Sequence, residues 1–499
     1  MNTEKKYSKI SGQVIFSNIV LVLTILISPV LIALLTRVLS IADFGVYSLL
    51  TSFVALMSLL LILGLSKYII ARLPGKQRTE QATKFYAIVI FNAVIVAVLL
   101  LVAYFSPFKP WFLGITNLQA YSAEFGICLF VIFAMAMGKL FFEYYSAKER
   151  LNFANTMDFL VNKGWMFILV AIFLIFRSFT LSQVFIVWLV GVVLAVLIYS
   201  LCSLGDIKIF LKEKFNTAVL KRALWFGLPV IPVVISGWLI SLSDRFILNH
   251  FMTAEAVGLY TLPYSLLGVV KTFGTSASVV ILPYFAAAYN NKNKDSTKLI
   301  SAAMKFGLVL IVPFLVGAAV LGKQIILIIS GAKYLPAVPY LLPLLLYPLF
   351  YFMASIFYDG LVVAGQTKHA GIAYTGAAIL NIILNIWWIP KIGIYGAVFS
   401  TVLSYLLMSI YMYSVFKKYC KISPSFIKFG RILIASIIMG IPIYFINPSG
   451  LFMTVATTAL GGAIYCILLL VFKVISHHEL RLFFSKVPVV HKIIDKIFA

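Results

Sequence analysis

FGLPVIPVVISGWLISLSDRFIL, residues 226–248, carries the reading that decides the fold. Apart from the adjacent Asp244 and Arg245 it holds no charged side chain, and its 23 residues exceed the roughly 20 that a helix needs to cross about 30 Å of hydrocarbon. Inside a bilayer only a helix satisfies every backbone polar group from within its own segment. Pro229 and Pro232 therefore predict a bend rather than an end, because proline frees a carbonyl without forbidding the span.

Working outward, the rest of the chain repeats this character. Of 499 residues, 63% are hydrophobic and 11% charged, with a mean hydropathy of +1.06. A soluble chain keeps about a quarter of its residues charged. A soluble enzyme, a disordered scaffold and a disulfide-stapled secreted domain are excluded, which leaves an all-α polytopic membrane protein. Apolar stretches recur near 12–36, 44–66, 85–105, 121–146, 153–176, 182–203, 223–249, 257–282, 302–321, 338–363, 371–389, 393–416, 431–446 and 451–472. These are fourteen spans, or twelve if the short thirteenth is discounted and the tenth, with Pro336, Pro339, Pro343 and Pro348, is broken.

The net charge of +25 then becomes a question of sidedness. Lys and Arg accumulate on the cytoplasmic side of membrane proteins. With both termini inside, inner segments collect 30 of the 40 basic residues and outer segments six, Arg37, Lys109, Arg177, Lys323, Lys333 and Lys391. The split explains the charge without nucleic acid as a partner, and places the chain in the cytoplasmic (inner) membrane with N and C termini cytoplasmic. The outer loops are short, the longest being about residues 106–120, and leave no room for a catalytic domain. No HExxH, GxSxG or Walker text appears, the five histidines are scattered, and Cys128, Cys202, Cys420 and Cys466 stand alone, so neither an enzyme nor a cofactor or metal site is expected.

An internal repeat organises the spans. Phe44-Gly45-Val46-Tyr47-Ser48-Leu49 matches Val257-Gly258-Leu259-Tyr260-Thr261-Leu262 at an offset of 213, and Met137, Phe141 and Glu143 match Met353, Phe357 and Asp359 at 216. Both copies lie six spans apart in the same orientation, which predicts two six-helix lobes related by a pseudo-two-fold axis along the membrane normal. The divisions are 1–215 and 216–425 for the lobes, 426–475 for two additional spans, and 476–499 for an amphipathic cytoplasmic tail.

Four basic residues remain inside spans: Lys139, Lys163, Arg245 and Lys271. An ionisable group at mid-bilayer costs about 2.5–3.5 kcal/mol on insertion scales, so such residues face cavities or partners. Lys139 and Glu143 share one helix face at i and i+4, as a cavity stripe or as a pair that locks two helices. Asp158 and Lys163 lie near the inner end of the fifth span, within reach of the interface by snorkelling. Asp244 and Arg245 lie toward the outer leaflet, as interfacial anchors or as an anion site. Lys271 is too deep to snorkel, and Asp359 has no basic neighbour on its own helix. The set offers cations for an anionic substrate and carboxylates (Glu143, Asp359, Asp244) for taking up a proton or ion. Trp238, Tyr264, Tyr284, Tyr374, Trp387 and Trp388 are either interface belts or platforms for sugars.

The stretch 226–248, with TRVLSIADFGVYSLL at 36–50, AVGLYTLPYSLL at 256–267 and the text from GQTKHAG onward at 365–407, resembles the polysaccharide transporters, the Wzx-type O-antigen flippases of the MOP superfamily. The resemblance touches both halves and implies a MATE-like fold with alternating access. Its implied cargo is an oligosaccharide on a polyprenyl diphosphate, turned across the membrane for cell-surface polysaccharide synthesis, with H+ or Na+ coupling and polysaccharide polymerase or assembly proteins as partners. Arg245 is the cavity cation that the matching text implies; Lys271, Lys139 and Lys163 extend that set. Two spans beyond twelve are similar to the lipid II flippase branch. A cation-coupled multidrug exporter of the same fold, a lipid II flippase, and a membrane glycosyltransferase or polymerase stand as alternatives.

Overall fold

A computed structural model describes residues 3–213, 217–290, 295–419 and 426–474, and among them every regular element is helical. The first half runs α1 (Thr3–Val38), α2 (Ile41–Leu61), α3 (Leu65–Arg72), α4 (Arg78–Phe105), α5 (Phe108–Ile115), α6 (Ser122–Ala147), α7 (Leu151–Phe159), α8 (Trp165–Phe176), α9 (Leu181–Cys202) and α10 (Leu204–Phe210). The second half continues α11 (Thr217–Gly227), α12 (Ile231–Phe251), α13 (Ala254–Asn290), α14 (Asp295–Ser330), α15 (Val338–Leu344), α16 (Leu346–Val363), α17 (Thr367–Ile392), α18 (Ile394–Phe416), α19 (Phe426–Ile446) and α20 (Gly450–Val471). Twelve helical segments among the described residues are long and apolar enough to cross a bilayer. α1 and α13 fall on the first and eighth of the fourteen expected spans. The expected amphipathic tail at 476–499 lies outside the described residues.

Backbone breaks fall where proline permits them. The seventh span is interrupted by a 3-10 turn at Leu228–Val230, with Pro229 and Pro232 in the opening positions of the turn and of α12. A proline there removes an N–H that has no intrahelical partner anyway, so the bend costs little. The tenth span likewise divides into a 3-10 segment Ala332–Ala337, α15 and α16. A third irregularity has no proline: α7 passes into α8 through a π-helical turn, Leu160–Gly164, within one continuous span.

The chain forms two compact units, Met1–Leu262 with Tyr374–Thr401, and Pro263–Ala373 with Val402–Ala499. In the first, α6 is the central helix, packed on α2, α3, α4, α7 and α9. Phe85 stacks on Tyr144 at 3.9 Å between centroids, and Phe141 on Tyr199 at 5.5 Å. In the second, α14 packs on α16, α19 and α20, so the two added spans belong to this unit's core. Tyr465 of α20 donates to the Val309 carbonyl at 2.9 Å, and Gly440 admits Val316 closely enough that a Cβ there would lie 2.9 Å from it.

Candidate functional site

The site is built from the repeat. Ser40 accepts from the Asp43 N–H at 3.0 Å and caps α2; Thr253 accepts from the Ala256 N–H at 3.2 Å and opens α13 in the same way. All four residues pair at the offset of 213. One turn on, the two helices meet. A Cβ at Gly45 would strike the Ala254 carbonyl, and one at Gly258 would strike the Ile41 carbonyl, so each glycine admits the first residue of the other's helix. Ser48 and Thr261, also 213 apart, share a buried hydrogen bond of 2.9 Å. Equivalent residues touching one another is what a two-fold contact requires.

The charged pair Asp244–Arg245 sits beside this crossing and breaks its symmetry, since the positions 213 residues earlier are Leu31 and Ile32. Asp244 is fully buried and Arg245 is 7% exposed. The Arg245 Nη1 donates to Ser52 Oγ of α2 at 2.8 Å, and Ser52 donates to the Ser48 carbonyl at 2.7 Å. The Asp244 carboxylate accepts from the Arg245 N–H at 2.9 Å and from the Tyr260 hydroxyl, which lies 3.2 Å from Thr401 Oγ1. Trp238 donates its indole N–H to the Ser52 carbonyl at 2.9 Å. Buried charge is tolerated here because several dipoles converge on it. On α17, buried Asn385 donates to Asn381 at 2.9 Å.

In the same unit Lys139 pairs with Glu143 at 3.3 Å, one turn apart on α6, and its ammonium lies 4.2 Å from the Phe142 ring centroid. Glu143 is buried, whereas Lys139 is only partly so. Asp158 lies within electrostatic reach of both. Lys163 is carried by the π-helical turn, partly buried. Such turns set one residue off the helical register and recur at functional positions.

Lys271 and Asp359 belong to the other unit. The Lys271 ammonium sits 3.8 Å over the Tyr351 ring, at one end of an aromatic series in which Tyr351 meets Tyr405, Tyr405 meets Tyr347, and Tyr347 stacks on Tyr264 at 4.8 Å. Among the described residues Lys163, Lys271 and Asp359 make no ion pair. Of the aromatic residues singled out by sequence, Trp238 and Tyr264 are engaged as above, Trp387 and Trp388 stack on each other at 6.1 Å, and the Tyr284 side chain lies outside the described set.

One charged cluster escaped the sequence reading. Buried Asp206, on α10 between the sixth and seventh spans, accepts from Arg78 Nε at 2.8 Å, Lys148 Nζ at 2.5 Å and the Tyr144 hydroxyl at 2.9 Å. Burial pushes its carboxyl up, and the three hydrogen bonds outweigh that and hold it below its ordinary value. The partners of Arg245 escaped as well. Ser52 lies just beyond the repeated text and carried no signal, while the repeat named Ser48 and Thr261 beside it without saying that they meet.

The sequence model of a family described as polysaccharide biosynthesis protein matches residues 34–339. An uncharacterized membrane protein of Methanocaldococcus jannaschii is 23% identical over 425 residues, 81% of this chain and 83% of that protein. A probable low-salt glycan biosynthesis flippase of Haloferax volcanii is 24% identical over 206 residues, 41% of this chain and 44% of that one. Among solved structures, the lipid II flippase MurJ in an inward closed conformation superposes with a TM-score of 0.73 at 18% identity, covering 95% of this chain and 99% of its own. An inward-facing multidrug resistance MATE family transporter of the MOP superfamily superposes at 0.64 with 13% identity, over 78% and 93%.

Proposed function

The chain belongs to the polysaccharide biosynthesis protein family and has the MOP fold; from that premise we propose that it is a flippase turning a polyprenyl-diphosphate-linked oligosaccharide across the cytoplasmic membrane by alternating access, with both termini cytoplasmic. The observation that carries the reading is the set of cations in the spans, above all Lys163 and Lys271, which have no ion pair among the described residues. A diphosphate cannot enter low dielectric unpaired, and an ammonium without a carboxylate supplies the missing charge. Arg245, held by Ser52, joins the set when the helices that bury it part. Glu143, Asp244 and Asp359 are the groups for H+ or Na+ coupling, and Lys139, already paired with Glu143, links the two roles. The lobes divide near residue 215, and assembly proteins that polymerise the product are the downstream partners. The reading assigns carriage alone; no bond is made or broken.

The name of the Haloferax volcanii relative supports a glycan cargo. The likeness to the lipid II flippase and to the MATE transporter keeps a peptidoglycan precursor and a cationic drug as the alternatives to be beaten. The experiment is transport into liposomes holding the purified protein, with a fluorescent polyprenyl-diphosphate oligosaccharide, fluorescent lipid II and ethidium offered in parallel under imposed pH or sodium gradients. Protection of the oligosaccharide from added quencher is expected, accelerated by one gradient. Movement of lipid II or ethidium in its place would overturn the assignment.

A further inference from the structure

An apolar cavity of about 630 Å³ lies between the ends of α4 and α6 that are joined through α5, and none of the charged residues discussed above lines it. Its lining runs from Ala97 to Phe105 on α4 and from Ala123 to Phe133 on α6. Tyr104 brings the only polar side chain to that lining. At Gly126 the two helices approach closely across the lining: a Cβ there would stand 3.3 Å from the Tyr104 ring. Its rim, Leu101, Phe105 and Phe130, is exposed, and in a membrane protein that exposure is to hydrocarbon.

Two quantities say what fills it. The volume falls in the range of about 300–1,000 Å³ typical of cavities that hold a small ligand. From Ala97 to Phe105 is eight residues of helical rise, about 12 Å, close to the roughly 15 Å depth of one leaflet. A slot of that length, apolar apart from Tyr104 and open sideways, fits the upper part of a lipid chain. The headgroup end is marked too. Lys109 on α5 holds its ammonium 4.0 Å over the ring of Tyr104, the same residue that lines the cavity, and makes no ion pair among the described residues. Glu124, the acidic residue at the start of α6, is taken by Ser182 at 2.5 Å. α5 is pinned at this depth by Phe112 against Phe53 at 4.7 Å and Phe125 at 5.3 Å, and it leaves Trp111 exposed as an interfacial anchor.

We propose that this groove is a seat for one chain of an anionic phospholipid, with Lys109 receiving the phosphate. The site is independent of the cargo, because nothing in it depends on which molecule is flipped. The test is native mass spectrometry of the full-length protein, released from micelles holding equal amounts of phosphatidylglycerol and phosphatidylcholine of the same chains. Preferential retention of phosphatidylglycerol is expected. Lys109→Gln should reduce the preference about five-fold, the effect of one basic residue worth about 1 kcal/mol at an anionic surface. Gly126→Leu, which fills the groove, should reduce retention of both lipids; Lys109→Gln, at the surface, keeps the test decisive should the glycine variant fold poorly. Equal retention of the two lipids, unchanged preference in Lys109→Gln, or displacement of phosphatidylglycerol by polyprenyl phosphate would each overturn the proposal.

Discussion

Arg245 and Lys271 are both basic residues set in apolar spans, yet their surroundings predict different phenotypes. Arg245 is bound into a network with Ser52, while Asp244 beside it bonds Tyr260. Truncating one member of such a buried charged set costs about 3–5 kcal/mol. Arg245→Ala should therefore lower both the melting temperature in detergent and transport. Lys271 touches the Tyr351 ring and no carboxylate among the described residues. Lys271→Ala should leave melting within a degree or two while transport falls at least about ten-fold, or about 1.4 kcal/mol. Normal transport in Lys271→Ala would remove that residue from the cargo path. Asp206 supplies the acid sensitivity: because its folded value lies below the ordinary one, its contribution is complete above about pH 4 and is lost as pH falls through the lower folded value. Wild type should lose melting temperature below pH 4, and Asp206→Asn should start lower and lose less. The sequence showed all these charges; it did not show that Lys148 and Arg78, counted as inner-loop basic residues, converge on one carboxylate.

At the scale of elements, the crossing of α2 and α13 is the feature with the sharpest structural demand. Gly45 and Gly258 each face a carbonyl of the other helix at a distance that no Cβ tolerates. Gly45→Leu and Gly258→Leu should each destabilise by about 1–3 kcal/mol through overpacking. Their effects should be alike because the contact is reciprocal. Urea or thermal unfolding followed by tryptophan fluorescence reads this directly, and a large effect from one substitution with none from the other would deny the reciprocity. Proline positions foretold the breaks at Leu228–Val230 and between α15 and α16. The π-helical turn at Leu160–Gly164 had no such herald, because one extra residue in a helix leaves hydropathy unchanged and alters only which face follows it.

For the whole molecule the claim to test is orientation. Single cysteines in a cysteine-free background should react with an impermeant maleimide added to intact cells at position 109 or 117, and should be silent at 76 or 150 until the membrane is opened. The reverse pattern would invert the topology and place the Lys109 groove in the cytoplasmic leaflet. Span positions were legible in advance, and their number to within twelve to fourteen, since insertion free energy is summed along a local window and needs no knowledge of neighbours; twelve helical segments among the described residues meet the length and hydropathy of a span. The repeat was legible for a similar reason: text matched at 213 residues survives in the chain itself. Which charges meet was not. Arg245 reaches Ser52, 193 residues away, and Asp206 gathers donors 128 and 58 residues distant. The sequence determined that this is a helical membrane chain with basic residues where the bilayer resists them. Only the tertiary structure decided that Arg245 is clamped beside a two-fold crossing while Lys271 has no ion pair among the described residues, because helix register and crossing choose hydrogen-bond partners, and no local sum along the chain contains that choice.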